Sequence, residues 1–249
     1  MRPLRAAWRA FQVFALVLGG WWRLWRHFER WSPARRQAEV QAWSGRMLAA
    51  IGVRLQVRGE LPAPGPMLLL ANHVSWLDIL VINAACPVRF VSKSDVRHWP
   101  LVGRLVEGSG TLFIEREKRR DAMRVVHHVA EALAAGDRVA FFPEGTTSDG
   151  SVLLPFHANL LQAAVVVEQP ALPVGLSYLR HGSGARHDAP TYVGDTTLVA
   201  SLWRTLQADD LLADLHFGQP DHGLGRDRRT WSEALRRDIA GLLDLDLAD

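Results

Sequence analysis

From residue 52 onward, short apolar runs of strand length alternate with longer segments whose apolar positions recur at helical spacing. Residues 54–57, 67–71, 89–91, 111–114 and 138–142 read as strands. Between them, 76–84 predicts a helix and 117–135 an amphipathic one. The second carries Ala122, Val125, Val126, Val129, Ala132 and Leu133 on one stripe and stops at Gly136. Residues 157–167 predict a further helix, and 172–179 a strand interrupted by Pro173. In the tail, strands are expected at 191–193 and 214–217, and helices at 198–206 and 231–243. Strand and helix taking turns in this way specify an α/β fold, a mainly parallel sheet covered by helices on both faces.

The first fifty residues follow a different pattern. An apolar run at 11–22 is followed by a segment from Ser32-Pro33 to about residue 51, with Val40, Trp43, Met47 and Leu48 on one stripe. The run is short of the ~20 residues a spanning helix requires. Charge sharpens the picture, because the first 36 residues hold eight arginines and a single acidic residue, Glu29. Six of the ten tryptophans, Trp8, Trp21, Trp22, Trp25, Trp31 and Trp43, lie in the same region. Arginine beside tryptophan is the pairing of a bilayer interface. The expectation is a membrane-associated helical hairpin over 1–51 and a catalytic domain over 52–249, with an amphipathic cap on that domain as the alternative for the hairpin. An Arg-rich arm also suits nucleic acid, but an enclosed run such as 11–22 does not, so no nucleic-acid partner is expected. The run imitates a signal peptide without a small-x-small cleavage site after it, so the segment reads as retained.

Composition narrows the class further. With 249 residues, 48% hydrophobic and 22% charged, the chain has enough apolar material for a large core. The single cysteine, Cys86, excludes an intrachain disulfide, and no Cys/His cluster has zinc-site spacing. Cys86 reads as a buried structural thiol.

Candidate chemistry gathers where strands end. The stretch from Met67 to Leu80 opens as a buried strand, breaks at Asn72-His73 and resumes as a helix. On one continuous helix, His73 and Asp78 would lie roughly 140° apart and could not touch. With His73 on the loop and Asp78 in the first helical turn, Ser75 serving as N-cap, the carboxylate can reach back to the imidazole. That is a base with its orienting acid. A second strand runs into Pro143-Glu144-Gly145-Thr146-Thr147-Ser148-Asp149-Gly150, a turn suited to presenting backbone N–H groups to an anion. A third, Gly110 to Arg116, ends on a cation able to hold a phosphate or simply to open a solvated charged run. In open α/β sheets, ligands collect at such carboxyl ends. Ser75 lacks a hydrolase elbow, and the remaining histidines, His127 and His128 among them, read as solvated or loop residues.

Together these pieces resemble the glycerolipid acyltransferases typified by 1-acylglycerol-3-phosphate O-acyltransferase. Four blocks stand in order: Asn72-His73 through Asp78, Gly110 through Arg116, Phe142-Pro143-Glu144-Gly145-Thr146, and Leu172-Pro173-Val174. Lys93, ahead of Trp99-Pro100-Leu101-Val102-Gly103, is similar to the family's segment between its first two blocks. The resemblance implies acyl transfer from a thioester, on coenzyme A or acyl carrier protein, to the free hydroxyl of a lysolipid, without a further cofactor or metal. It implies His73 and Asp78 as catalytic residues, with Arg116, Glu144, Gly145, Thr146 and Lys93 holding substrate. It also implies location at the bilayer, on the cytoplasmic face of a bacterial inner membrane. A lysophosphatidate-type acceptor, giving phosphatidate, is the first expectation. Where phosphatidate-forming members continue the third block with Arg-Ser, this chain has Thr147-Ser148-Asp149-Gly150, which looks similar to bacterial members acylating lyso-ornithine lipid. The rival readings are a hydrolase that admits water in place of the lysolipid, and a non-catalytic lipid-binding module.

Overall fold

The computed structural model describes residues 2–27, 30–61, 63–99, 101–114, 119–223 and 225–248. Two helices, α1 (Arg2–His27) and α2 (Pro33–Ile51), come first. They are followed by β1 (Arg54–Arg58), β2 (Met67–Ala71), α3 (Asp78–Ala85) and β3 (Arg89–Lys93). A tight turn of helix (Ser94–His98) then leads to α4 (Val102–Gly108), β4 (Leu112–Ile114), α5 (Arg119–Ala134) and β5 (Arg138–Phe141). After these come β6 (Val152–Leu153), α6 (Leu161–Val166), β7 (Ala171–Arg180), α7 (Leu198–Gln207), β8 (Leu211–Phe217), α8 (Arg228–Leu243) and β9 (Asp246–Leu247).

Seven strands form the central sheet in the order β1-β8-β7-β2-β5-β3-β4. Every neighbouring pair is parallel except β7 and β8, so the sheet is mainly parallel as the alternation implies. The central strand β2 shows why both faces are covered. Met67, Leu69 and Ala71 point into one core, built with residues of α1, α2, α3 and α7. Leu68 and Leu70 point into the other, built with α5, α6 and α8. A five-residue strand with no polar position can only be buried on both sides.

The hairpin follows from local sequence and packs as part of this body. Ser32 caps α2 by accepting from the Arg35 N–H, Pro33 occupies its first turn, and Gly52 closes it at φ 89°. Ala6 and Val13 of α1, with Met47, Leu48, Ala50 and Ile51 of α2, belong to the same core as the sheet. Arg9 ties α1 to the end of α7, donating to the Leu206 and Ala208 carbonyls at 2.9 and 2.8 Å. None of the described helices is long and apolar enough to cross a membrane.

The structure departs from the sequence reading at several elements. Pro173 does not interrupt β7, because its nitrogen faces the β8 side one residue past Phe217, where β8 has ended. Its carbonyl still accepts from Gly218 N–H at 2.9 Å. The helix expected at 157–167 is shorter, a tight turn at Ala158–Leu160 followed by α6. No strand forms at 191–193, since this stretch crosses the site loops and spends its carbonyls on side chains there. The Thr191 and Tyr192 carbonyls accept from Arg204 and Thr147, and the Pro190 carbonyl just ahead of them from Ser75. The small β6–β9 pair and α4 were not foreseen. The start expected for α5, at 117, lies outside the described residues.

Because α1 and α2 bury side chains in the sheet's own core, deleting residues 1–48 should leave no folded remainder. The expected product is aggregated, without cooperative unfolding by circular dichroism; a monodisperse, cooperatively melting fragment would contradict this packing.

Candidate active site

The site forms at the carboxyl ends of the adjacent strands β2 and β5. At Asn72 the main chain leaves the sheet, but the side chain takes over the ladder. Its amide donates to the Leu176 carbonyl at 2.9 Å and accepts from the Leu176 N–H at 2.8 Å. The amide group replaces the next peptide of β2, so the backbone is free to turn at His73.

His73 Nδ1 lies 2.7 Å from Asp78 Oδ2, the contact that a loop-plus-first-turn arrangement allows. The same oxygen accepts from the Val74 and Ser75 N–H groups at 2.8 and 2.9 Å. The other oxygen, Oδ1, accepts from the Tyr178 hydroxyl at 2.7 Å. Asp78 is fully buried, and four donors compensate its charge. Nδ1 therefore carries the proton, leaving Nε2 as an acceptor on a ring whose side chain keeps 19% of its surface. Phe142 stacks on that ring, with centroids 3.8 Å apart and planes within 5°.

Ser75 is not the N-cap of α3. Its hydroxyl donates instead to the Pro190 carbonyl at 2.6 Å, and Leu77 occupies the cap position without a side-chain bond. The same hydroxyl accepts from the Leu77 N–H at 3.3 Å ahead of the helix, while the Asp78 carboxylate collects the Val74 and Ser75 N–H groups upstream. The Ser148 N–H on the His73 carbonyl at 2.8 Å and the Tyr192 N–H on that of Val74 at 3.1 Å fix the loop from two further sides.

Glu144 departs from its expected role. Its carboxylate is buried, accepting from the His73 N–H at 2.7 Å and the Leu154 N–H at 3.1 Å. It fastens the two loops to each other and is not among the side chains that line the cavity. Burial, helped by the Asp78 charge, pushes this carboxyl up to about 7 despite both backbone donors and the neighbouring imidazole. Gly145 adopts φ 69°, the left-handed turn that glycine permits, with its N–H on the Phe142 carbonyl at 3.1 Å.

His73, Lys93, Gly145 and Thr146 come together on the lining of one cavity of about 700 Å³. Arg116 lies outside the described residues. The rest of the lining is largely apolar, with Val13 and Val17 from α1, Val40 and Met47 from α2, and Val102 and Leu105 from α4. Among the described residues, no three His, Cys, Asp or Glu side chains converge as metal ligands. An imidazole with a free nitrogen thus opens onto a space suited to a long apolar group.

The family model described as Acyltransferase matches residues 53–177, which hold both loops and Tyr178's strand almost to that residue. The chain belongs to the acyltransferase family. This acyltransferase is 39% identical over 193 residues to a lyso-ornithine lipid O-acyltransferase of Pseudomonas aeruginosa, covering 78% of this chain and 73% of that one. To a 1-acyl-sn-glycerol-3-phosphate acyltransferase of Neisseria gonorrhoeae it is 36% identical over 220 residues, covering 87% and 86%. The crystal structure of a 1-acyl-sn-glycerophosphate acyltransferase from Thermotoga maritima shares the fold with a TM-score of 0.70, at 21% identity and full coverage of both chains. Membership in this family sets aside the hydrolase and the non-catalytic module.

Sequence reasoning missed Tyr178 and the task of Asn72. A signal for the first was available: in the alternation Leu172, Val174, Leu176, Tyr178, a tyrosine on the core side needs a partner for its hydroxyl. Burial and the adjacent Asp78 charge hold the Tyr178 hydroxyl well above its ordinary value, so it stays a donor throughout the working range. Tyr178→Phe removes one donor from a buried carboxylate and should cost about 1.5–3 kcal/mol in denaturant unfolding.

Glu144 allows a test with a definite sign. Its carboxyl ordinarily titrates near 4.5 and in the fold near 7, so over this window the native state holds more protons than the unfolded chain. Its contribution to stability therefore falls as pH rises from about 4.5 through about 7. Unfolding midpoints across this range should decline less in Glu144→Gln than in the native chain; equal slopes would refute the shift.

Proposed function

We propose that this acyltransferase transfers a fatty acyl group from a thioester, on coenzyme A or acyl carrier protein, to the free hydroxyl of a lysolipid at a bilayer surface. The observation that carries the reading is the His73–Asp78 pair, whose unengaged Nε2 opens onto an apolar cavity. An alcohol is a weak nucleophile near neutral pH and needs a base. Nε2 takes the hydroxyl proton as the oxygen attacks the thioester carbonyl. The resulting imidazolium is stabilised by Asp78 through Nδ1–H. When the carbon–sulfur bond breaks, Nε2 returns the proton to the leaving thiolate, and the ester is released with His73 restored. The acceptor itself attacks, so no protein nucleophile is required. Lys93, Gly145 and Thr146 on the lining, with Arg116, hold the acceptor head group.

The bilayer enters through α1. Leu4, Trp8, Phe11, Phe14, Leu18, Trp22 and Trp25 are exposed at helical spacing along its outer side. Arginines of the same helix suit anionic head groups. This is a helix lying in the interface, as expected of a monotopic enzyme on the cytoplasmic face of a bacterial inner membrane.

For the acceptor, a lysophosphatidate-type lipid is the first reading, supported by the Neisseria relative and by Lys93 on the cavity lining. A specific observation favours lyso-ornithine lipid as the second. The third-block loop continues with Thr147, Ser148 and Asp149, where Thr147 donates to the Tyr192 carbonyl and Ser148 to that of His73. Thr147 lines the cavity where a phosphate reader would continue with an arginine, and the exposed Asp149, held below its ordinary range by the Ser151 hydroxyl and N–H, adds a negative charge to the same loop.

Mass spectrometry of products from lysophosphatidate and lyso-ornithine lipid, each offered with acyl-coenzyme A and acyl carrier protein, identifies acceptor and donor in one panel. On the preferred pair, His73→Ala should lower kcat/KM by ~10²-fold or more, the order set by loss of a general base. Asp78→Asn should be similarly impaired, since its amide would point N–H groups at donors. Turnover unchanged in a folded His73→Ala chain would end this mechanism.

A further inference from the structure

We propose that the tight turn Ser94–His98 with Trp99, and Leu101 with α4, carry a second bilayer-inserting element, Trp99 and Leu101 forming a lip where the cavity meets the lipid. The proposal rests on the reading of α1 as a membrane surface and extends it to a part of the chain far from the hairpin in sequence. It begins with an unfavourable combination at Leu101. This residue has φ 62° and ψ −46°, outside the regions open to a branched side chain, and it is 46% exposed. Strain and apolar exposure at one residue persist only where surrounding structure enforces them. Here it does. The Gly103 N–H bonds back to the Trp99 carbonyl at 2.9 Å, and a Cβ on Gly103 would stand 2.1 Å from the Arg97 carbonyl oxygen, so the chain is folded tightly over itself beneath the tip.

The second observation is position. Trp99 lines the cavity and is also 37% exposed, so it belongs to both the inner wall and the outer surface. The third is continuity. Leu105 packs near Gly20, Leu24 packs against Gly108, and the Arg104 guanidinium lies over the Trp21 ring at 5.6 Å. The segment therefore rests on the half of α1 that exposes Trp22 and Trp25. Charge identifies the occupant. Exposed Lys93 and Arg104 flank the tip, Arg97 being paired with Glu107, and Arg104 above a tryptophan face is the arrangement that reads anionic head groups while aromatic rings enter below them. With this lip inserted, an acyl chain passes sideways from the leaflet into the cavity past Trp99 without crossing water.

The test uses the full chain with an environment-sensitive fluorophore on Leu101→Cys; Cys86 is fully buried and stays unlabelled. A second chain carries the same label on Trp25→Cys. Both are mixed with phosphatidylcholine vesicles containing phosphatidylglycerol, with and without quencher groups on the acyl chains. Brightening and acyl-chain quenching at both positions are expected. A reporter at 25 that inserts while the one at 101 stays aqueous overturns the lip and leaves the membrane reading standing. Silence at both overturns the two together, and shielding at 101 that follows protein concentration without vesicles assigns the tip to a second copy. Leu101→Gly provides an unlabelled check, since glycine relieves the backbone and removes the apolar group. It should melt at a higher temperature, partition into the vesicles about tenfold more weakly and turn over short-chain, water-soluble substrates at the native rate. Undiminished partitioning would refute the proposal.

Discussion

The buried carboxylate of Asp78 is the constraint around which the catalytic end of the molecule is arranged. A negative charge removed from water must be met by hydrogen-bond donors, and of the four it receives three come from the loop just ahead of it and one from a strand a hundred residues on. Each donor is thereby located. The two backbone N–H groups shape the turn after β2, the tyrosine ties that turn to β7, and the imidazole is left with one orientation and one tautomer. Around this centre the chain adds ties of a different kind: an asparagine that stands in for a missing peptide, a glutamic acid shared between two loops, and the crossing segment at 190–192. The fixed position of the imidazole is thus a property of the carboxyl end of the sheet's central strands and not of one helix.

Much of the fold was legible because its causes are local. A strand such as β2 with five apolar residues declares its double burial, and Ser32-Pro33 and Gly52 mark the limits of α2 within a residue. The offset of His73 from Asp78 was readable as a loop followed by a helical turn. What escaped depends on neighbours that the sequence does not name. Pro173 sits harmlessly in β7 because β8 stops opposite it, and the stretch at 191–193 is no strand because its carbonyls are claimed by Arg204 and Thr147 from elsewhere. Glu144 looked like a group for the acceptor while its neighbours on the loop, Gly145 and Thr146, do line the cavity. Only the fold shows that its two oxygens are committed to main-chain donors. Arg116 falls where the structure describes nothing, and its part is untouched by these observations.

The amino-terminal hairpin shows how periodicity can conceal two roles. Helix α1 is apolar on opposite sides, one set of residues entering the protein's core and another facing outward, and a twelve-residue apolar run suggested less than the twenty-six residues that form the helix. Read as an anchor or as a cap, the hairpin is in fact part of the cavity wall. The two alternatives were never exclusive, because a wall that separates a lipid-sized space from the outside has an apolar surface to offer in both directions.

In the proposed reaction, the phenyl ring of Phe142, lying flat against His73, bears on the moment when the imidazole takes up the proton. A neutral heterocycle rests on that ring by dispersion alone, whereas an imidazolium is also drawn to the negative π-face. The plate therefore grips harder once the proton has arrived, which opposes any swing of the ring toward solvent in the interval before the proton is handed on. A saturated side chain of equal bulk would fill the same space and supply none of that hold.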